Sequence, residues 1–111
     1  MDTKYQWIKV AASIHEIAFA QNHIAQINIG EKKICLIRTL HGLKACASKC
    51  PHAGGDLSMG YLDKRENITC PVHGYRFDTN NGRDTNGEGY FLKIYKVVEN
   101  AEGIFVGLEK W

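Results

Sequence analysis

The sequence predicts an all-β domain of stacked antiparallel sheets. Three observations carry that prediction. Apolar residues come in short runs separated by turn signals. Helical spacing is confined to one short segment, 12–20, where Ile14, Ile17 and Ala18 fit a single turn. The last strand-like stretch alternates, with Leu92, Ile94 and Val98 on one face, and closes on a hairpin turn at Asn100–Gly103.

The elements follow in order. Tyr5–Val10 reads as a first strand, and 12–20 as a short helix or a loop. Ile24–Ile29 puts Ile27 and Ile29 on one face before the Gly30-Glu31 turn. Lys33–Leu40 is apolar enough for a central strand, in which Cys35 is a core residue. His41-Gly42 turns the chain into Leu43–Ala47. Leu57–Leu62 and Asn67–Thr69 lead toward Tyr75–Asp78. Thr79–Gly89 is polar and rich in Gly and Asn, a loop with turns in it. Tyr90–Glu99 and Ile104–Leu108 finish the chain.

At 111 residues the chain reads as one domain, 1–111. Its net charge of +2 is too near neutral to suggest nucleic acid or an anionic membrane. Met1-Asp2-Thr3-Lys4 opens no signal peptide, and no stretch approaches the roughly 20 apolar residues of a membrane span. The expected setting is soluble and cytoplasmic. Lys49, Arg76 and the short charge runs read as solvated.

Chemistry concentrates in two boxes, Cys50-Pro51-His52 and Cys70-Pro71-Val72-His73. Each offers one thiolate and one imidazole, and 17 residues separate His52 from Cys70. Two sulfurs and two nitrogens on two loops match the donor set of a [2Fe–2S] centre in which two His replace two Cys on one iron. The chain's only prolines, Pro51 and Pro71, directly follow the two cysteines and stiffen both loops. Gly54, Gly55 and Gly74 follow the histidines, where a loop must turn and approach the donors closely. A rival reading is a Cys3His zinc site from Cys46, Cys50, Cys70 and His73. It leaves Pro51-His52 and the glycines without a purpose, and under the iron–sulfur reading Cys46 is a small, partly buried thiol. His15, His23 and His41 have no spaced partners and read as surface or turn residues.

Cys-Pro-His-Ala-Gly-Gly followed by Cys-Pro-Val-His-Gly-Tyr-Arg-Phe-Asp resembles the Rieske ferredoxin family, across nearly the whole chain. The resemblance implies the Rieske iron–sulfur fold, with a small cluster-binding lobe at about 45–80 on a larger β-sandwich base. It implies one [2Fe–2S] cluster, with Cys50 and Cys70 on the buried iron and His52 and His73 on the outer one. It implies an electron-transfer component rather than an enzyme, passing single electrons from a flavoprotein reductase to a terminal oxygenase. The alternative within the resemblance is the small subunit of an assimilatory NADH-dependent nitrite reductase. No two-His-one-carboxylate iron site accompanies the boxes, so no catalytic residue is expected. Ala53, Leu57, Met59 and Tyr61 are candidates for an apolar rim around the histidines, and the equal alternative is that some of them simply cover the cluster inside the lobe.

Two departures separate the chain from the high-potential members of that family. Their extra loop cysteines, which pair as a disulfide, correspond to Gly55 and Val72 here. Their Ser and Tyr, whose hydroxyls bond cluster sulfurs, correspond to Tyr75 and Phe77. Hydrogen bonds to sulfur favour the electron-rich reduced form. Their loss implies a potential near the low end of the Rieske range, roughly −150 mV.

Overall fold

The run Ile34-Cys35-Leu36-Ile37 is fully buried, with each residue at 0% exposure. A strand with no polar alternate must be covered on both faces. That requirement organises the computed structural model, which describes residues 1–110. The strands are β1 (Tyr5–Ala11), β2 (Ile24–Ile29), β3 (Lys32–Thr39), β4 (Gly42–Ala47), β5 (Tyr61–Leu62), β6 (Ile68–Thr69), β7 (Arg76–Phe77), β8 (Ile94–Asn100) and β9 (Gly103–Glu109). They form a six-stranded sheet in the order β1-β9-β8-β4-β3-β2 and a three-stranded sheet in the order β5-β6-β7. Every pairing is antiparallel.

The larger sheet is two three-stranded halves joined by a narrow seam. Between β4 and β8 only Ala45 with Tyr95 and Cys46 with Ile94 are in register. The halves enclose a core of Ile34, Leu36, Ala45 and Val106, flanked by Val10, Ile27, Ile29, Val97 and Leu108. The opposite face of β3 and β4 carries Cys35, Ile37 and Cys46. These pack with Ile24 against Cys50, Leu57, Ile68, Cys70, Phe77 and Leu92 from the smaller sheet and its loops. Each fully buried Ile, Leu or Phe contributes about 1.5–3 kcal/mol. The smaller sheet has six residues in strands, so its position depends on this second core.

The all-β expectation holds, and most strand bounds fall within two residues of those read from the sequence. Segment 12–20 contains a 3-10 turn at Ile14–Glu16, after which Ile17 and Phe19 fold back onto the first core. The strand read from Tyr90 starts instead at Ile94. Residues 90–92 leave the sheet because they pair with the preceding loop: Leu92 N donates to Gly82 O at 2.8 Å, and Phe91 bridges to Arg83. Cys46, expected to be partly buried, is fully buried opposite Cys35. Leu57, open to either a docking rim or a cover inside the lobe, takes the second role and is fully buried. The Asp56 carboxylate caps the turn Leu57–Met59 by accepting from Ser58 N at 2.9 Å, and this turns Leu57 into the core. Among the described residues no helix is long and apolar enough to cross a membrane.

Candidate metal centre

Two loops project from the second core. The first leaves β4 at Ala47; Leu57 N donates to Ser48 O at 2.7 Å and closes it. The second joins β6 to β7. Both make the same turn despite their different box spacing. Cys50 N donates to Gly55 O and Cys70 N to Tyr75 O, each at 2.8 Å. Gly54 N returns to Cys50 O at 2.8 Å and Gly74 N to Cys70 O at 3.0 Å. Gly54 and Gly74 both sit at φ +73°, in the left-handed region that glycine enters without strain. The backbone thus places Cys50 and Cys70 at equivalent positions of their loops.

The thiols lie at the bottom of the loops, Cys50 at 1% and Cys70 at 2% exposure. Burial pushes the Cys50 thiol up, and the neighbouring Cys70 pushes it further. The backbone N–H groups of Ala53 and His52 work against both and lower it. The imidazoles lie above, His52 half-buried and His73 exposed. Their ring centroids are 5.2 Å apart, edge to face. Gly55 keeps the space over the second thiol open: a Cβ there would stand 2.8 Å from Cys70 Sγ and 2.7 Å from Val72 Cγ2. The structure therefore brings the box residues together as two pairs, thiol with thiol and imidazole with imidazole.

This donor set fits a [2Fe–2S] rhomb. Two buried thiolates side by side are tolerable only against a cationic centre. Backbone N–H groups that favour the Cys50 thiolate, as those of Ala53 and His52 do, suit a ligating sulfur. A single ion fits poorly. Among the described residues, no three Cys, His, Asp or Glu side chains converge on a point that one metal could occupy. The zinc reading also loses Cys46, which sits in register with Cys35 across β3 and β4. Its hydrogen bond with Cys35, together with burial, holds the Cys46 thiol well above its usual range.

An aromatic wall beside the histidines was not legible in the sequence. Tyr75 stacks on His52 with centroids 3.8 Å apart and planes 8° from parallel. Tyr90 meets His52 edge-on at 5.2 Å and Tyr75 at 5.7 Å. The Tyr75 hydroxyl donates to the Glu88 carboxylate, and that bond pushes the phenol up to about 12. Glu88 belongs to the polar loop read only as a turn. No periodicity marks a contact between residues so far apart in the chain.

Asp84 shapes that loop. Its carboxylate accepts from Glu88 N at 3.0 Å and Tyr90 N at 2.7 Å. The Glu88 N–H, followed by the N–H groups of Tyr90, Gly87 and Asn86, holds the Asp84 carboxyl below its ordinary 3.8, against the effect of burial. A carboxyl depressed on folding stabilises the native state above its unfolded pKa, and this contribution disappears as pH falls through the folded value. Asp84→Asn is therefore expected to be less stable than the parent at neutral pH, with the gap closing in acid. Urea unfolding at pH 7 and near pH 3 measures this; a gap that stays constant would contradict it.

Comparison with known proteins fits this geometry. The model of the Rieske [2Fe-2S] domain family matches residues 6–90. The ferredoxin component of the naphthalene 1,2-dioxygenase system of Pseudomonas aeruginosa is 31% identical over 78 residues, covering 70% of this chain and 71% of that protein. The chain spans a much smaller part of other relatives, 6% of cholesterol 7-desaturase nvd 1 of Ciona intestinalis and 19% of the carnitine monooxygenase oxygenase subunit of Escherichia coli (strain K12). A solved complex of reduced oxygenase and oxidized ferredoxin in carbazole 1,9a-dioxygenase matches with TM-score 0.76 at 26% identity, over 95% of each chain. A structure described as a putative NADH-dependent nitrite reductase small subunit from Mycobacterium tuberculosis matches with TM-score 0.81, over 96% of this chain and 98% of that one. At 18% identity that likeness bears on the fold alone.

Proposed function

Because the chain belongs to the Rieske [2Fe-2S] domain family, we propose that it is a soluble one-electron carrier of the cytoplasm, in which Cys50, His52, Cys70 and His73 hold one cluster. One observation carries the reading. Two thiols lie side by side in the core while two imidazoles, 5.2 Å apart, reach the surface above them. When bound, the cluster takes up and returns a single electron. Cys50 and Cys70 anchor it to the second core, and the N–H groups of His52 and Ala53 support the Cys50 thiolate. His52 and His73 form the edge that a partner can approach. Residues 45–80 act as the cluster-binding lobe of a single domain.

The electron would come from a flavoprotein reductase and pass to a terminal oxygenase. The ferredoxin component at 31% identity supports this, as does the 26% identical ferredoxin solved with its oxygenase. Met59 at 72% exposure, Tyr61 at 51% and Val72 at 53% are apolar groups available to a transient partner; Leu57 is not.

Electron paramagnetic resonance before and after dithionite, with iron and zinc counted on the same sample, tests the reading. The expected result is about two irons per chain, a rhombic signal that appears only on reduction, and a midpoint near the low end of the Rieske range, roughly −150 mV. Stoichiometric zinc with no reduced signal after reconstitution would reject it.

A further inference from the structure

Three distant parts of the chain meet at the His52 ring: the first box, Tyr75 behind the second box, and the loop 84–90. Tyr75 lies flat on His52, at 3.8 Å and 8°. A flat stack covers the whole face of a ring and so restrains its plane. Tyr75 is itself held at both ends. Its backbone carbonyl accepts from Cys70 N at 2.8 Å, and its hydroxyl donates to Glu88. Glu88 is held in turn, because its N–H donates to Asp84 at 3.0 Å. Tyr90, fixed on the same Asp84 carboxylate, closes the edge of His52 at 5.2 Å. Among the described residues His73 has no such stack and meets His52 edge-on. The two imidazoles are therefore not equivalent.

We propose that Tyr75 and Glu88 are positioning residues that lock the orientation of the His52 imidazole and, through the Glu88 carboxylate, bias the centre toward its oxidised state. The inference rests on the carrier reading and goes beyond it. The sign follows from charge. Reduction adds an electron next to His52, and a carboxylate tethered to the stacked ring opposes added negative charge. The π face of the phenol, which is negative, acts in the same direction. The polar loop at 84–90 thus serves as a third wall of the site rather than as a plain connection.

The test compares the cluster-loaded parent with Glu88→Gln, Tyr75→Phe and Tyr75→Leu, with Glu102→Gln in the β8–β9 turn as a remote-charge control. At a fixed ambient potential, Glu88→Gln is expected to raise the ratio of reduced to oxidised protein at least threefold, about 28 mV at 59 mV per tenfold. Tyr75→Phe, which keeps the stack and cuts the tether, is expected to shift the same way. Glu102→Gln is expected to leave the ratio unchanged. Tyr75→Leu is expected to alter the nitrogen hyperfine couplings of one imidazole and spare the other. All four variants change exposed or half-buried side chains, so all are expected to fold. A ratio in Glu88→Gln equal to that of the parent overturns the proposal and leaves Tyr75 as a cover. A shift of the same size in Glu102→Gln also overturns it, because the effect would then be net charge alone. A parent with no reduced signal rejects the carrier reading itself.

Discussion

Cys70→Ala is expected to empty the centre of iron while leaving the larger sheet in place. Cys70 is 2% exposed and lies beside Cys50, so the removed sulfur has no replacement from water or from another side chain. Three donors cannot complete two tetrahedra, and the count is expected to fall from about two irons per chain to near none. The loops are expected to remain turned, because their backbone bonds are independent of metal: Cys70 N to Tyr75 O at 2.8 Å and Gly74 N to Cys70 O at 3.0 Å survive the substitution. Stability is still expected to drop, since a group bound only by the native state stabilises that state. Cys46→Ala is the matched control. Its sulfur faces Cys35 inside the sheet, so this variant should keep both irons and lose only packing. Iron content and visible absorption of the two variants decide the matter. Iron retained in Cys70→Ala, or lost from a folded Cys46→Ala, would mean that the ligand set is drawn wrongly.

The contrast between these two cysteines marks where the sequence was legible. Cys50 and Cys70 stood out because each is followed by proline and then by a histidine within three positions, and that local pattern has few other uses. The run 34–37 was equally readable as a central strand, because four adjacent apolar residues leave a strand no wet face. What escaped was set by contacts at long separation. His52, Tyr75 and Tyr90 meet through three turns of unrelated sequence, and Glu88 finds Tyr75 across a loop whose composition says only that it bends. Whether Leu57 lines a rim or covers the cluster stayed open for a related reason. Its burial depends on the Asp56 carboxylate capping the next turn, and an Asp before a Leu does not by itself say which way that turn faces. Tyr90 and Leu92 fall on the face shared by Ile94 and Val98, yet Leu92 N is claimed by Gly82 O before the sheet can use the segment.

Phe77→Ala is expected to be among the most damaging single changes away from the metal donors, at about 3–5 kcal/mol. Phe77 heads the largest side chains that are fully buried, and it sits where the smaller sheet meets the larger one. Its backbone is in register with Ile68 on β6 and bridges to Asp84 on its other side, so the residue sits between the second loop and the wall loop. The strands around it are two residues long and supply few backbone bonds of their own. Collapse cannot easily fill the void, because Cys50, Cys70 and Leu57 on its margins are held by the loop turns. A loss of that size is a large share of the roughly 5–15 kcal/mol by which a domain is stable. It should appear as a lower urea midpoint with an unchanged slope, together with faster bleaching of the loaded protein in chelator. Loss below about 1 kcal/mol would show that the second core is not what holds the ligand loops. The short strands and the metal would then have to carry the lobe between them.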